Sequence, residues 1–546
     1  MSLLVDVFGF LTIIVHGLTI IAQSMMLGGV LFLLLLAQPL RALPQGQAII
    51  GDTTRIAGWA ALALVACDAT NLALQTSVLM DTVDLPFTMV MGAGFAEAGL
   101  AKIAAAAAIG LLLLTRRAPT ALLLLAGGVE LAAATLTTHA AARLDDRLPL
   151  LAVEALHQLG AAIWIGGIPA FLSALGRIHD AAGWRAVGRR FSRMSMAGVA
   201  CILASGVTMW IVYVGSLPGF YGTAYGVMVG AKVAMFGGLL LLGLGNYVVV
   251  ERLGRDPATP VLRLKRFAEV EVGVGFTLFF AAASLTSVPP AVDLTRDRVT
   301  WSEIEARNTP AWPRLASPDH DSLTLPALQA QLDTEAAAHA QAPQPAFVPG
   351  SGDIPARNAE DIAWSEYNHH WAGIFVALIG LLALLNQAGV RWARHWPLAF
   401  LGLAAFLFLR SDPEVWPLGA EGFFASLRDV EVLQHRFFVL LVALFALFEW
   451  RVRVGAWTSK RAQMVFPLLT AVGGAALLTH THAIANVKDQ LLIELTHTPL
   501  ALASIAAGWS RWLEIRLDSR GARIAGWAWP LLFVLIGLIL LSYREA

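Results

Sequence analysis

Only two cysteines occur in 546 residues, Cys67 and Cys201, and both lie inside apolar runs. That excludes a disulfide framework. Charge is scarce too: Asp, Glu, Lys and Arg make up 14% of the chain, against about 25% in a typical soluble domain. The 38 basic and 38 acidic residues cancel, so no net field favours nucleic acid or an acidic partner. No phosphate-cradling glycine loop of the G-x-x-x-x-G-K-[ST] kind occurs, which leaves gradients or ligand exchange as the drive for any transport. The opening Met1-Ser2-Leu3-Leu4-Val5-Asp6 has no basic stretch. Its apolar run therefore reads as a retained helix rather than a cleaved signal.

Apolar side chains, in contrast, make up 57% of the chain, and mean hydropathy is +0.67. One domain's core stops growing at about 250–300 residues, so this much apolar surface must meet lipid. The expected fold is an all-α polytopic transmembrane bundle. At about 20 apolar residues per span, fourteen segments qualify. Eight fall at 5–36, 55–78, 91–115, 118–142, 148–176, 191–217, 224–250 and 265–288. Six follow at 369–390, 395–410, 433–453, 462–485, 490–510 and 525–543. Residues 1–288 read as an eight-helix membrane domain and 368–546 as a six-helix one. The intervening 289–367, rich in Pro, Ala, Asp and Gln, reads as an extramembrane loop with a short helix near 325–340. No repeat relates the two halves.

Lys and Arg concentrate in short cytoplasmic loops, and here they alternate from loop to loop. Arg116-Arg117, the Arg177–Arg193 group, Arg252–Arg266, Arg391 and Arg394, Arg451–Arg461 and Arg511–Arg523 fall on one side. The loops between, such as Gly215–Thr223 and the acidic Ser411–Val432, are poor in cations. Both termini and 289–367 are thereby expected on the outer, periplasmic side of a bacterial inner membrane.

This orientation puts nine of the thirteen histidines in the outer half of the membrane. His369 and His370 open the ninth helix and His435 the eleventh. His480 and His482 close the twelfth, and His497 lies in the outer half of the thirteenth. His139 closes the fourth helix, His157 lies about two turns into the fifth, and His16 about three turns into the first. Neutral imidazole suits copper, zinc and haem iron alike. Ionisable groups in the membrane are costly and usually face the bundle interior, although a ring at a helix end also tolerates the interface. Spacing limits cooperation: His480 and His482, two apart, point to opposite faces of a regular helix, and one of His369 and His370 packs while the other binds.

Met25, Met26, Met194 and Met196, with Cys67 and Cys201, are soft donors suited to Cu(I), although Met is also a common core filler. Glu154 lies three residues before His157 and Glu494 three before His497, one turn apart on a shared face. That is the spacing of a carboxylate that orients a ligand histidine. Structural ion pairs compete with this role for Glu130, Lys102, Lys232, Glu269, Glu271 and Glu449. Gly160, Ala161 and Gly167 allow close helix approach beside His157.

The run His157-Gln158-Leu159-Gly160-Ala161-Ala162-Ile163-Trp164-Ile165-Gly166-Gly167 resembles the signature of the copper resistance protein D (CopD/PcoD-type) family. Similar segments follow in Tyr367–His370, Asp412–Gly419, Gln434–Arg436, Phe448–Arg453, Thr479–His482 and Glu494–Leu500. The resemblance implies an inner-membrane protein that works with a periplasmic copper-binding protein of the CopC type and moves copper toward the cytoplasm. The outer loop shows no Met-rich or His-rich collecting motif. Three classes follow: a copper permease, a haem b cytochrome using paired histidines as axial ligands, and a docking or assembly partner of a copper enzyme.

Overall fold

The computed structural model describes residues 2–41, 44–83, 85–115, 119–143, 146–295, 298–318, 329–331, 333–334, 337, 359–412, 415–479 and 487–545. Among these residues every regular element is helical, and thirteen helices are long and apolar enough to cross a membrane. The chain divides into two compact units, Met1–Arg296 with Leu478–Thr481, and Asp297–Leu477 with His482–Ala546. His480 and His482 lie outside the described residues, as does most of the short helix expected near 325–340.

The first unit contains α1 (Ser2–Phe32), α2 (Gly46–Val83), α3 (Gly94–Leu114), α4 (Thr120–Thr135), α5 (His139–Ala142), α6 (Arg147–Ala161), α7 (Ile168–Arg177), α8 (Ala181–Met209), α9 (Ala224–Arg252) and α10 (Leu262–Leu285). The fourth expected span is shorter than anticipated. Thr135, Thr137 and Thr138 turn their hydroxyls onto the carbonyls of Ala132, Ala134 and Thr135, each at 2.8 Å. Hydroxyls that compete for backbone in this way favour helix ends. His139 therefore begins a separate short helix rather than closing the span.

Between α6 and α7 the chain takes a π-helical turn, Ala162–Gly166. Pro169 follows at the start of α7 and has no N–H for the preceding turn, so the hydrogen-bond ladder widens there. A Cβ on Gly166 would lie 1.9 Å from the Ser24 carbonyl oxygen. The glycine is what lets α1 cross this turn backbone to backbone, and Met26 is fully buried beside it.

The second unit contains α11 (Trp301–Asn308), α12 (Ala359–Gln387), α13 (Ala399–Arg410), α14 (Val430–Arg453), α15 (Val465–Thr479), α16 (Val487–Arg516) and α17 (Ser519–Leu541). A reciprocal cap of Thr300 and Glu303 starts α11, inside the stretch expected to be loop. Its core is aromatic: Trp396, Phe466 and Trp529 meet at ring-centroid distances of 5.3–5.5 Å. The Arg453 guanidinium lies over all three rings and pairs with Glu449 at 2.6 Å. Glu449 thus follows the structural ion-pair reading, with Arg453 as its partner.

Candidate functional site

In the first unit, α6 and α8 pack along a seam of small residues, where a Cβ on Gly160 would lie 2.7 Å from the Gly198 carbonyl oxygen. This close approach brings His157 Nδ1 to 2.9 Å from Ser205 Oγ. The Ser205 hydroxyl already donates its proton to the Cys201 carbonyl at 2.7 Å, so it accepts from His157. Nδ1 then carries the ring proton and Nε2 the basic lone pair, the tautomer that offers Nε2 as a ligand.

Glu154 was expected to orient His157 and instead accepts from Gln158 at 3.1 Å. Gln158 in turn accepts from Gln23 of α1 at 2.9 Å. Lys232 of α9 acts electrostatically on His157, and Glu154 is the carboxylate that acts on Lys232. Ser205 and Lys232 were not legible as partners because they lie 48 and 75 residues along the chain from His157.

Ser205, Cys201 and Met194 stand at spacings of four and seven, which share one helix face. Cys201 Cβ lies 3.0 Å from where a Gly160 Cβ would be, and Met194 Cε lies 3.1 Å from the corresponding point at Gly167. An imidazole, a thiol and a thioether are thus ranged along one interface. From Ser205 to Met194 the helix rises about 16 Å at 1.5 Å per residue, ending beside the arginine-rich start of α8.

The remaining candidates disperse. Met196 is 54% exposed and Met26 fully buried in the core. Met25 and Cys67 line a separate apolar groove with Trp59, Asp52 and Ser173. His16 lines a small polar cavity with Asp68 and Lys102, apart from the His157 seam. His139 has a buried Nε2 with no hydrogen-bond partner. Burial lowers its pKa, opposed by a hydrogen bond to the Thr286 backbone and by Asp293, so the ring is carried neutral.

In the second unit the two adjacent histidines of α12 have different roles. His370 accepts from the Arg314 N–H at Nδ1, 2.7 Å, and donates from Nε2 to the Tyr543 carbonyl, 2.8 Å. Both ring nitrogens are committed to backbone, so His370 packs. His369 donates from Nδ1 to the Ser365 carbonyl at 2.8 Å, which leaves the basic lone pair on Nε2. His497 donates from Nδ1 to the Ile493 carbonyl at 3.0 Å and takes the same tautomer.

The rings of His369 and His497 are 6.1 Å apart between centroids, and Tyr543 stacks on His369 at 3.9 Å. The orienting group for His497 is thus a backbone carbonyl, while Glu494 accepts the Thr498 hydroxyl at 3.1 Å. Glu545 accepts from the Ser365 and Tyr543 hydroxyls at 2.5 and 2.6 Å. His435 has a carboxylate partner, Asp412 Oδ1 at 2.7 Å. Among the described residues, no group of three or more His, Cys, Asp or Glu is gathered tightly enough to hold a metal ion.

Residues 185–285 match the family described as Copper resistance protein D. Over this segment the chain is similar to CopD-type proteins. The CopD-type segment contains Met194, Cys201, Ser205 and Lys232, which together form the α8 and α9 side of the His157 site. Copper transport protein CutJ of Bacillus subtilis is 29% identical over 163 residues, spanning 29% of this chain and 29% of that protein. No solved structure matches the chain. Both matches are to proteins named for copper resistance or copper transport.

Proposed function

We propose that this protein is a bacterial inner-membrane copper transporter whose first unit receives copper at His157 and passes it toward the cytoplasm along Cys201 and Met194. The carrying observation is the α6–α8 seam. Ser205 fixes His157 with its lone pair on Nε2, and the two sulfur side chains follow on the same helix face. Sulfur ligands favour Cu(I) over hard cations, so the seam grows softer along the route.

The direction rests on the alternation of arginine-rich and cation-poor loops, which places Met194 near the cytoplasmic end. His369, His497 and His435 form a second set of outer imidazoles in the other unit, suited to collecting the ion from a CopC-type donor. CutJ is described as a copper transport protein, and the shared segment supports the same cargo here.

Purified wild-type protein, loaded with Cu(I) and washed, should retain copper by elemental analysis. His157→Ala and Cys201→Ser should each lose at least one equivalent. Equal copper in all three would overturn the assignment. A Soret band with matching iron would make the histidines axial haem ligands instead.

A further inference from the structure

Away from the His157 seam, α2, α3 and α4 carry three buried ionisable groups. Asp68 is 3% exposed, Lys102 6% and Glu130 0%. Lys102 Nζ binds Asp68 Oδ1 at 2.7 Å. Asp68 Oδ2 and both carboxyl oxygens of Glu130 are buried without a hydrogen-bond partner. The charges acting on Glu130 are those of Lys102 and Asp68.

Helix α4 packs on α3, which carries Lys102, and on α6. Of the titratable residues of α6, Glu154 is engaged by Gln158 and His157 by Ser205, and Arg147 is exposed. From α1, His16 lines the adjoining cavity with Asp68, Asn71, Gln75, Lys102 and Thr137. That lining is polar enough to admit water to the Asp68–Lys102 side.

One lysine cannot offset two buried carboxylates, and an uncompensated charge at this depth is too costly to keep. We propose that Asp68, Lys102 and Glu130 form a one-proton binding site in which Lys102 neutralises one carboxylate while the proton resides on the other. In the structure Lys102 is paired with Asp68, so Glu130 carries the proton. In the alternative arrangement the Glu130 O–H bond breaks, Asp68 Oδ2 gains the proton, and Lys102 pairs with Glu130. Net charge is zero in both arrangements, which is why the exchange needs no other ion. The site exchanges its proton with water through the cavity beside His16, and it stands independently of the copper reading.

Infrared spectroscopy of the full chain in lipid bilayers, at neutral pH, reads this directly from the carboxylic acid C=O band. Variant-minus-wild-type differences separate this site from other buried acids. Glu130→Gln should remove one acid band. Asp68→Asn should remove the same band although Glu130 is still present, because Lys102 is then free to pair with it. Lys102→Met should add a second acid band, and Lys102→Arg should leave one. A spectrum unchanged by Glu130→Gln, or an acid band at Glu130 that persists in Asp68→Asn, would overturn the proposal. The Gln and Asn substitutions keep the shape of the acids they replace, and Lys102→Arg, which keeps the charge, holds the comparison should the Met variant not fold.

Discussion

His369 and His370 are neighbours in sequence yet are bound to different work by the hydrogen bonds around them. His370 has both nitrogens tied to the backbone of Arg314 and Tyr543. His370→Ala should therefore cost stability, about 1–3 kcal/mol for each buried polar group it strands, as read from thermal unfolding, with copper retention unchanged. At His157 the expectation reverses. Ser205→Ala removes the acceptor that fixes the ring tautomer and should weaken Cu(I) binding about 10–100-fold, measured by competition with a chelator, with little loss of stability. The histidine in each case was visible in the sequence. Its partner was not, because Ser205, Asp412, Arg314 and Tyr543 come from elements far along the chain. Short-range spacing instead suggested Glu154 and Glu494, which the structure gives to Gln158 and Thr498.

At the scale of elements, the α6–α8 seam depends on the absence of side chains at its crossing. Gly160→Val would drive methyl groups into the Gly198 carbonyl, 2.7 Å from the first added carbon. It should part the helices and move His157 from Ser205, so copper retention falls together with thermal stability. A second element is the C-terminal strap Ser542–Glu545 on the head of α12. Burial opposes ionisation of Glu545, but the Ser365 and Tyr543 hydroxyls, with His369 and Arg307, hold its pKa below the usual carboxylate value. A lowered folded value stabilises the strap above the ordinary glutamate pKa of about 4.3. That stabilisation is lost as pH falls through the folded value. Protection of the C-terminal amides relative to their unfolded exchange rate should thus be high at neutral pH and fall in acid, and Glu545→Gln should show the lower protection at neutral pH. The helices themselves were legible from apolar length alone. Their ends were not: α12 begins ten residues before His369, in a polar stretch where only packing sustains the helix, and the threonines after α4 end it early.

For the whole molecule, apolar composition and alternating cation-rich loops are enough to specify a polytopic helical protein, and the thirteen long apolar helices among the described residues agree with it. Copper as the proposed cargo rests on the resemblance around His157 and on the match of residues 185–285, since imidazole alone does not distinguish copper from haem iron. The geometry then adds what composition cannot, a single helix face bearing Ser205, Cys201 and Met194 against α6 and the π-helical turn. The measurement that tests this directly is copper entry into proteoliposomes holding a Cu(I)-responsive dye, comparing wild type, His157→Ala and protein-free vesicles. The account predicts entry well above the protein-free rate for wild type and a fall to that rate for His157→Ala. Equal entry for wild type and His157→Ala, or no entry above protein-free vesicles, would contradict it.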